Sequence, residues 1–285
     1  MTTTLDRTAP PTAPRSTGAR VLVWIGGLLG AAMIVSGAFS AVDVIATQNA
    51  DPATAVATAS YEAAPVVELV ADGDVTVTTG GVAVDVERTS RTASARTTYS
   101  ATRTGDRLVV RHECDWWRPG FCAAGLRVTV PDGTEVVIRA SDGSVSATSL
   151  TGPLTVRTSD ASTTVSDIDG NVSLRTADGS TTISDVRGSV TARSSDGPIT
   201  VDRVTGSVTT HTSDGRTTIA EVDGDIDARS SDGSVTVFGN GIPVALDITT
   251  NDGRQTIEGP TDPDASVSVR IHTVDGSASF LGPQG

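Results

Sequence analysis

Between residues 139 and 237 apolar and polar side chains alternate in short bursts, and the bursts return every 18 residues. The pairs Val145/Ala147, Thr163/Val165, Thr181/Ile183, Ile199/Val201, Thr217/Ile219 and Val235/Val237 each skip one residue, the alternation of a half-buried strand. A second burst follows in each period, at Leu154/Val156, Val172/Leu174, Val190/Ala192, Val208/Thr210 and Ile226/Ala228. Leu150, Ile168, Val186, Val204 and Val222 add a fifth apolar column. Each burst is entered through a turn: a tripeptide centred on Asp142, Asp160, Asp178, Asp196, Asp214 or Asp232, then a second glycine at Gly152, Gly170, Gly188, Gly206 or Gly224.

A constant period this short predicts an all-β solenoid with 18-residue coils, each coil two similar nonapeptides contributing two short strands. The coils would stack into two parallel sheets facing each other across the aliphatic columns. From Cys122 to Val237 there is no Phe, Trp or Tyr, as a stack of small aliphatic side chains requires. One coil cannot offset the entropy of ordering its own backbone, so stability must come from stacking.

The regularity fades on both sides. After Asp232 the next markers, Asp252 and Asp275, arrive 20 and 23 residues later, as expected of terminal coils that cover an open sheet edge. Before Asp142, the segments VTVTT, VAVDVERT, ARTTYSATRT, DRLVVRHE and GLRVTVPDG predict an antiparallel β cap.

Val21 to Val42 is an uncharged run of 22 residues, long enough to cross a hydrocarbon core of ~30 Å as a helix. Arg7, Arg15 and Arg20 precede it and Asp43 follows it, which places the N-terminus in the cytoplasm. A cleaved signal peptide is the rival reading, with Ala38-Phe39-Ser40 before Ala41 as the small-residue site. Residues 1–20 read as a disordered cytoplasmic tail, 43–65 as a spacer, and 66–285 as an extracytoplasmic solenoid domain.

All 21 basic residues are Arg, and 34 acidic residues leave a net charge of −13. With only Asp6 and three Arg before the span, 33 acids face 18 Arg beyond it, a charge of −15 that argues against nucleic acid as partner.

The Asp column could hold calcium between coils, but the richer glycine pattern of calcium nonapeptides is missing. Arg139, Arg157, Arg175, Arg193 and Arg229 run three residues ahead of the Asp residues, with His211 in the remaining place. The expected reading is structural Asp-Gly turns whose carboxylates the Arg column neutralises. Ser146, Thr164, Thr182, Thr200, Thr218 and Thr236 form a hydroxyl column that strand propensity explains better than ice binding. Cys114 and Cys122 flank DWWRPGF and are expected to form a disulfide, the alternative being a metal site with His112. Trp116, Trp117 and Phe121 either plug the end of the solenoid or project as a contact surface. His112, His211 and His272 are scattered, and the Arg and Asp recur in every coil, which argues for scaffold rather than enzyme; no cofactor motif occurs.

The repeated R-[TSA]-[SA]-D-G-[SP]-[VTI]-[ST]-[VIA] coil, as in Arg139 to Ala147, Arg175 to Ile183 and Arg193 to Val201, resembles the putative-adhesin β-solenoid family of bacterial envelope proteins, a domain of unknown function. The likeness runs from about Val66 to Phe280, with Ala161 in place of one turn glycine and His211 in place of one Arg. The all-Arg basic set also looks like a high-GC actinobacterial chain. The resemblance implies a single-pass protein of the cell membrane that displays an acidic solenoid toward cell-wall polymer or another envelope protein. The alternative is an accessory ectodomain of an envelope-stress signalling system.

Overall fold

The computed structural model describes residues 55–92, 96–115 and 122–284. The expected tail, the expected membrane span at 21–42 and most of the expected spacer lie outside the described residues, as do Trp116, Trp117 and Phe121. Among the described residues every regular element is a strand, and no helix is long and apolar enough to cross a membrane.

The N-terminal strands are β1 (Ala55–Glu62), β2 (Val66–Ala71), β3 (Val75–Thr79), β4 (Ala83–Thr92), β5 (Thr97–Thr104), β6 (Arg107–Cys114) and β7 (Cys122–Val130). The regular coils follow, each placing one strand in either sheet. Sheet A receives β9 (Ser144–Leu150), β11 (Ser162–Asp169), β13 (Thr181–Arg187), β15 (Ile199–Val204), β17 (Thr217–Val222) and β19 (Val235–Phe238). Sheet B receives β8 (Glu135–Ala140), β10 (Leu154–Thr158), β12 (Val172–Arg175), β14 (Val190–Ser194), β16 (Val208–Thr212) and β18 (Ile226–Ser230). The chain closes with β20 (Ala245–Thr250), β21 (Gln255–Ile257), β22 (Ser268–Thr273) and β23 (Ala278–Leu281).

The 18-residue period is the register of the parallel ladders: Val165 pairs Ile183, Ile183 pairs Val201, and Val201 pairs Ile219. These four side chains are wholly buried, as are Val156 and Ala192 in sheet B. Burying each aliphatic contributes about 1.5–3 kcal/mol. Repetition therefore turns one strand's alternation into a continuous core.

Within each sheet A strand the alternation slips, from Val165 to Ile168 rather than to 167. The intervening residue takes a left-handed conformation in five successive coils, Ser149, Asp167, Asp185, Arg203 and Glu221, with φ between 50° and 55°. It is skipped in the ladder, where Ser166 pairs Ser184 and Ile168 pairs Val186. This bulge turns two consecutive side chains outward and the next one back to the core.

The turn glycines work differently. Of the glycines in the Asp tripeptides of the regular coils, only Gly143 has positive φ, at 87°. A Cβ at Gly197 would sit 2.2 Å from the carbonyl oxygen of Gly179, and one at Gly215 would sit 2.2 Å from that of Gly197. Glycine is needed there because turn backbones lie on one another, not for its dihedral freedom. Ala161 stands one coil beyond the exposed, differently folded Gly143.

Both ends depart from sequence order. In sheet B the strands run β5, β6, β2, β8, and in sheet A they run β1, β4, β7, β3, β9. The β2–β3 coil thus lies against β8–β9, with the β6–β7 coil outside it. The expected antiparallel cap is corrected accordingly: VTVTT is β3, parallel to both β7 and β9, and β6 is parallel to β2. Among the described residues antiparallel ladders are confined to β1, β4 and β5 with their neighbours, and Asp72 makes one isolated antiparallel bridge to Ala124. Val67, Leu69, Val75 and Val77 are fully buried and extend the solenoid's own columns, which is why β2 and β3 join it. The spacer is also shorter than expected, because Ala55–Glu62 pair with β4 as the edge strand β1. Its Ala- and Thr-rich sequence alternates only between exposed and half-buried, a faint signal.

At the far end β22 inserts between β18 and β20, and β23 between β19 and β21. Asp275, not Asp252, stacks on the Asp232 turn, its N–H donating to Ser231 O at 2.9 Å. Burial explains the exchange. Val269, Ile271, Ala278 and Phe280 of the inserted coil are buried, whereas β20 and β21 contain no fully buried side chain and serve as the outer cover.

Candidate functional site

The Arg column lies on the outer face of sheet B. Parallel pairing aligns Arg139 with Arg157, Arg157 with Arg175, Arg175 with Arg193, Arg193 with His211 and His211 with Arg229. Adjacent members are one strand spacing apart, ~4.8 Å. All six are exposed. Beside them Thr155, Ser173, Thr191 and Thr209 form a parallel hydroxyl column.

The ends of the Arg column are neutralised and its middle is not. Arg139 Nε donates to Glu68 Oε1 at 2.8 Å, while Arg107 holds Glu68 Oε2 at 2.6 Å. Burial of Glu68 would raise its pKa, but the hydrogen bonds from Arg107 and Arg139 outweigh it and hold the carboxyl below its ordinary value. At the other end Arg229 donates to Asp227 at 2.7 Å. Among the described residues no ion pair engages Arg157, Arg175 or Arg193. Strands β10, β12, β14 and β16 contain no acidic residue, although the chain as a whole carries a charge of −13.

The expected neutralisation of the Asp column by the Arg column is therefore corrected. Asp142, Asp160, Asp178, Asp196, Asp214 and Asp232 are all exposed, and among the described residues none makes an ion pair. Two residues separate each Arg from its Asp, and the chain turns over them away from the sheet B face, so the carboxylate is solvated. Their backbones carry the stack: Asp178 N–H donates to Ser159 O, Asp196 to Ala177 O and Asp214 to Ser195 O, each at 3.0 Å.

Charge compensation falls instead on the bulge column, on the side of sheet A. Arg203 grips Asp185 through two nitrogens at 2.7 and 3.0 Å and also contacts Asp202. Arg187 lies 3.6 Å from Asp167 and 3.8 Å from Asp169. The Arg203 hydrogen bond lowers the pKa of Asp185 and raises that of Arg203. A second unexpected ladder occupies the residue after each Arg: Thr176 Oγ1 donates to Ser159 O, Ser194 Oγ to Ala177 O and Ser230 Oγ to Ser213 O. The [TSA] position of the repeat was its signal, readable as a demand for small hydroxyls beneath buried turn carbonyls.

Thr158 begins that ladder without a partner. The Ser141–Gly143 turn it would address folds differently, and Thr158 Oγ1 is buried and unbonded. It lines an open groove of about 390 Å³ bounded by Arg139, Arg157 and Arg175 on one side and the Ser141 and Ser159 turns on the other.

Cys114 and Cys122 form a disulfide, S–S 1.99 Å and Cα–Cα 6.1 Å, joining β6 of sheet B to β7 of sheet A. The pairing removes both thiolates from the alternative metal site, and among the described residues no group of three or more His, Cys, Asp or Glu gathers. The described aromatic groups at this end are other than those expected. Tyr61 and Tyr99 share a hydrogen bond of 2.6 Å, Arg88 stands 4.3 Å from the Tyr99 ring centroid, and His112 meets Tyr99 edge-on. Burial, then the Tyr61 hydrogen bond, raises the Tyr99 pKa. Burial lowers that of His112, whose Nδ1–H donates to Gly125 O at 3.0 Å. His112 and Tyr99 belong to one plug that the spacing of the sequence did not join. The hydroxyl column from Ser146 to Thr236 lies in register on the outer face of sheet A.

A family model described as Toastrack DUF4097 matches residues 70–281. No curated protein matches this chain. Similar solved structures include that of a putative lipid binding protein from Parabacteroides distasonis, at 13% identity and TM-score 0.48, covering 79% of this chain and 96% of that one. A putative adhesin from Bacteroides fragilis is 13% identical with TM-score 0.38, covering 81% and 99%. A putative cell adhesion protein from Clostridium sporogenes is 8% identical with TM-score 0.32, covering 81% and 100%.

Proposed function

We propose that this chain, which belongs to the Toastrack DUF4097 family, is a non-enzymatic binding module of the cell envelope. A single N-terminal span holds it in the membrane, and its solenoid is displayed outside as an adhesin-like surface. The observation that carries the reading is the outer face of sheet B, where Arg157, Arg175 and Arg193 stand exposed and without ion pairs on strands free of acid. Exposed like charges in file repel one another, so stability alone does not account for them. A rigid ladder that presents one group every ~4.8 Å suits contact with an extended partner. Wall polymer or another envelope protein is such a partner. The disulfide supports an extracytoplasmic setting, since cytosolic thiols are kept reduced.

Two measurements test this. The full-length chain in neutral detergent is co-sedimented with isolated cell wall; retention above a polymer-free control is expected, and its absence would remove the binding role. Protease added to intact cells should digest the solenoid and spare an N-terminal epitope tag, whereas digestion of the tag alone would reverse the orientation.

A further inference from the structure

Resting on that reading, we infer that the sheet B face binds a linear, base-free anionic polymer laid along the solenoid axis, its phosphates or carboxylates meeting Arg157, Arg175 and Arg193 in turn. Parallel register makes these residues a straight file, one guanidinium per coil. Glu68 and Asp227 occupy the arginines at the two ends of the column, so the run open to a ligand is bounded. Guanidinium presents paired N–H donors that match carboxylate and phosphate oxygens.

The groove beside the file supplies a second feature. It runs past Arg139, Arg157 and Arg175, and its floor holds the buried Thr158 hydroxyl that no protein group satisfies. As placed, that oxygen is closed to solvent, so it offers its proton to an anionic oxygen seated against Arg157 after a rotation of the Thr158 side chain. The exposed Asp column is not among the groove's lining residues, whose one carboxylate, Asp72, already accepts from Ser141 Oγ and the Cys114 N–H, and an acidic border on the turn side discourages sideways displacement of an anion. Strands β10, β12, β14 and β16 hold no Phe, Trp or Tyr and only one ring, His211 at the edge of the file, so bases lack a stacking platform along it beyond the guanidinium faces. The chain's acidity elsewhere repels anions at long range, but a Debye length of ~8 Å at physiological salt confines that repulsion.

The test measures binding of the full-length chain in neutral detergent to inorganic polyphosphate, to polygalacturonate and to single-stranded DNA, at several salt concentrations. The wild type is expected to bind one or both base-free polymers and to discriminate against DNA. R157Q/R175Q/R193Q, with its thermal midpoint unchanged, is expected to bind at least tenfold more weakly. Its log K against log salt should be shallower by about 2, near 0.7 for each lost contact. R216Q, in the turn that leads into β17 of sheet A, should bind as wild type. Equal binding by wild type and triple variant, binding of neither base-free polymer, or DNA bound as well as they are would overturn the inference. Isolated cell wall separates it from the broader reading. Wall bound equally by both proteins would keep an envelope-binding role and remove the Arg file. Wall bound by neither, with polymer still bound by the wild type, would keep the file and remove the envelope role.

Discussion

The middle coils and the N-terminal end of this solenoid are built from the same strands and held by different means. In the middle, backbone lies on backbone: Gly197 stacks over Gly179 and Gly215 over Gly197, with no room for a Cβ. At the N-terminal end, single side chains hold the structure together. Glu68 ties β2 to β6 and β8 through two arginines, a disulfide joins β6 to β7, and Tyr61 meets Tyr99 across the N-terminal opening. Repetition thus makes the middle insensitive to the loss of any one exposed side chain and intolerant of any added at the turn. The N-terminal end should behave in the opposite way.

Gly197→Val is the largest expected break in that contrast. Its branched side chain would enter space held by a carbonyl oxygen 2.2 Å from the Cβ, and a loss above about 4 kcal/mol is expected in urea denaturation. Gly81→Val at the N-terminal end meets nothing within 4 Å, and its cost should be limited to the strain of φ +71°. Equal losses would mean that the middle turns relax more freely than their stacking implies.

Reduction of Cys114–Cys122 comes next, at about 2–3 kcal/mol for so short a loop. Hydrogen exchange should show the loss in β6 and β7 while β12 to β16 stay protected. Protection lost throughout would mean that the ends and middle unfold as one unit.

Acid should also separate the two regions. The His112 pKa is depressed in the fold, so its contribution is complete above the ordinary value of about 6.5 and is lost as pH falls through the lower folded value. Glu68 acts in the same direction at lower pH: complete above about 4.5, lost as pH falls through its depressed folded value. Hydrogen exchange between pH 7.5 and 4 should therefore loosen β2, β6 and β7 before β12 to β16. Simultaneous loosening would place the acid-sensitive groups elsewhere.

The smallest effect is expected of Arg175→Gln. An exposed side chain without an ion pair should change stability by no more than about 0.5 kcal/mol. A larger loss would make the Arg file part of the scaffold.

The repeat was legible because each column is written many times. Val165, Ile183, Val201 and Ile219 give the same instruction at the same phase, and parallel register can satisfy it only by stacking them. The bulge was half legible: a spacing of three between Val165 and Ile168 marks it, but Arg203 and Glu221 are not residues that announce a left-handed backbone. The Arg file was visible as a column, and its partner was misjudged. Sequence spacing put an Asp three residues from each Arg, but the turn carries that Asp off the sheet face.

The sequence by itself determined the period, the five inward columns and the two-strand coil, because repeated local patterns leave few alternatives, while its two cysteines stayed open between a disulfide and a metal site until the structure joined them. Only the tertiary structure decided the order of coils at the ends, the partners of Glu68 and Arg203, and which arginines stay unpaired. Those outcomes depend on competition. At the C-terminal end the more apolar β22–β23 coil takes the covered position and leaves β20–β21 outside, at the N-terminal end β2–β3 joins the columns against β8–β9, and a carboxylate pairs with whichever guanidinium that arrangement brings near.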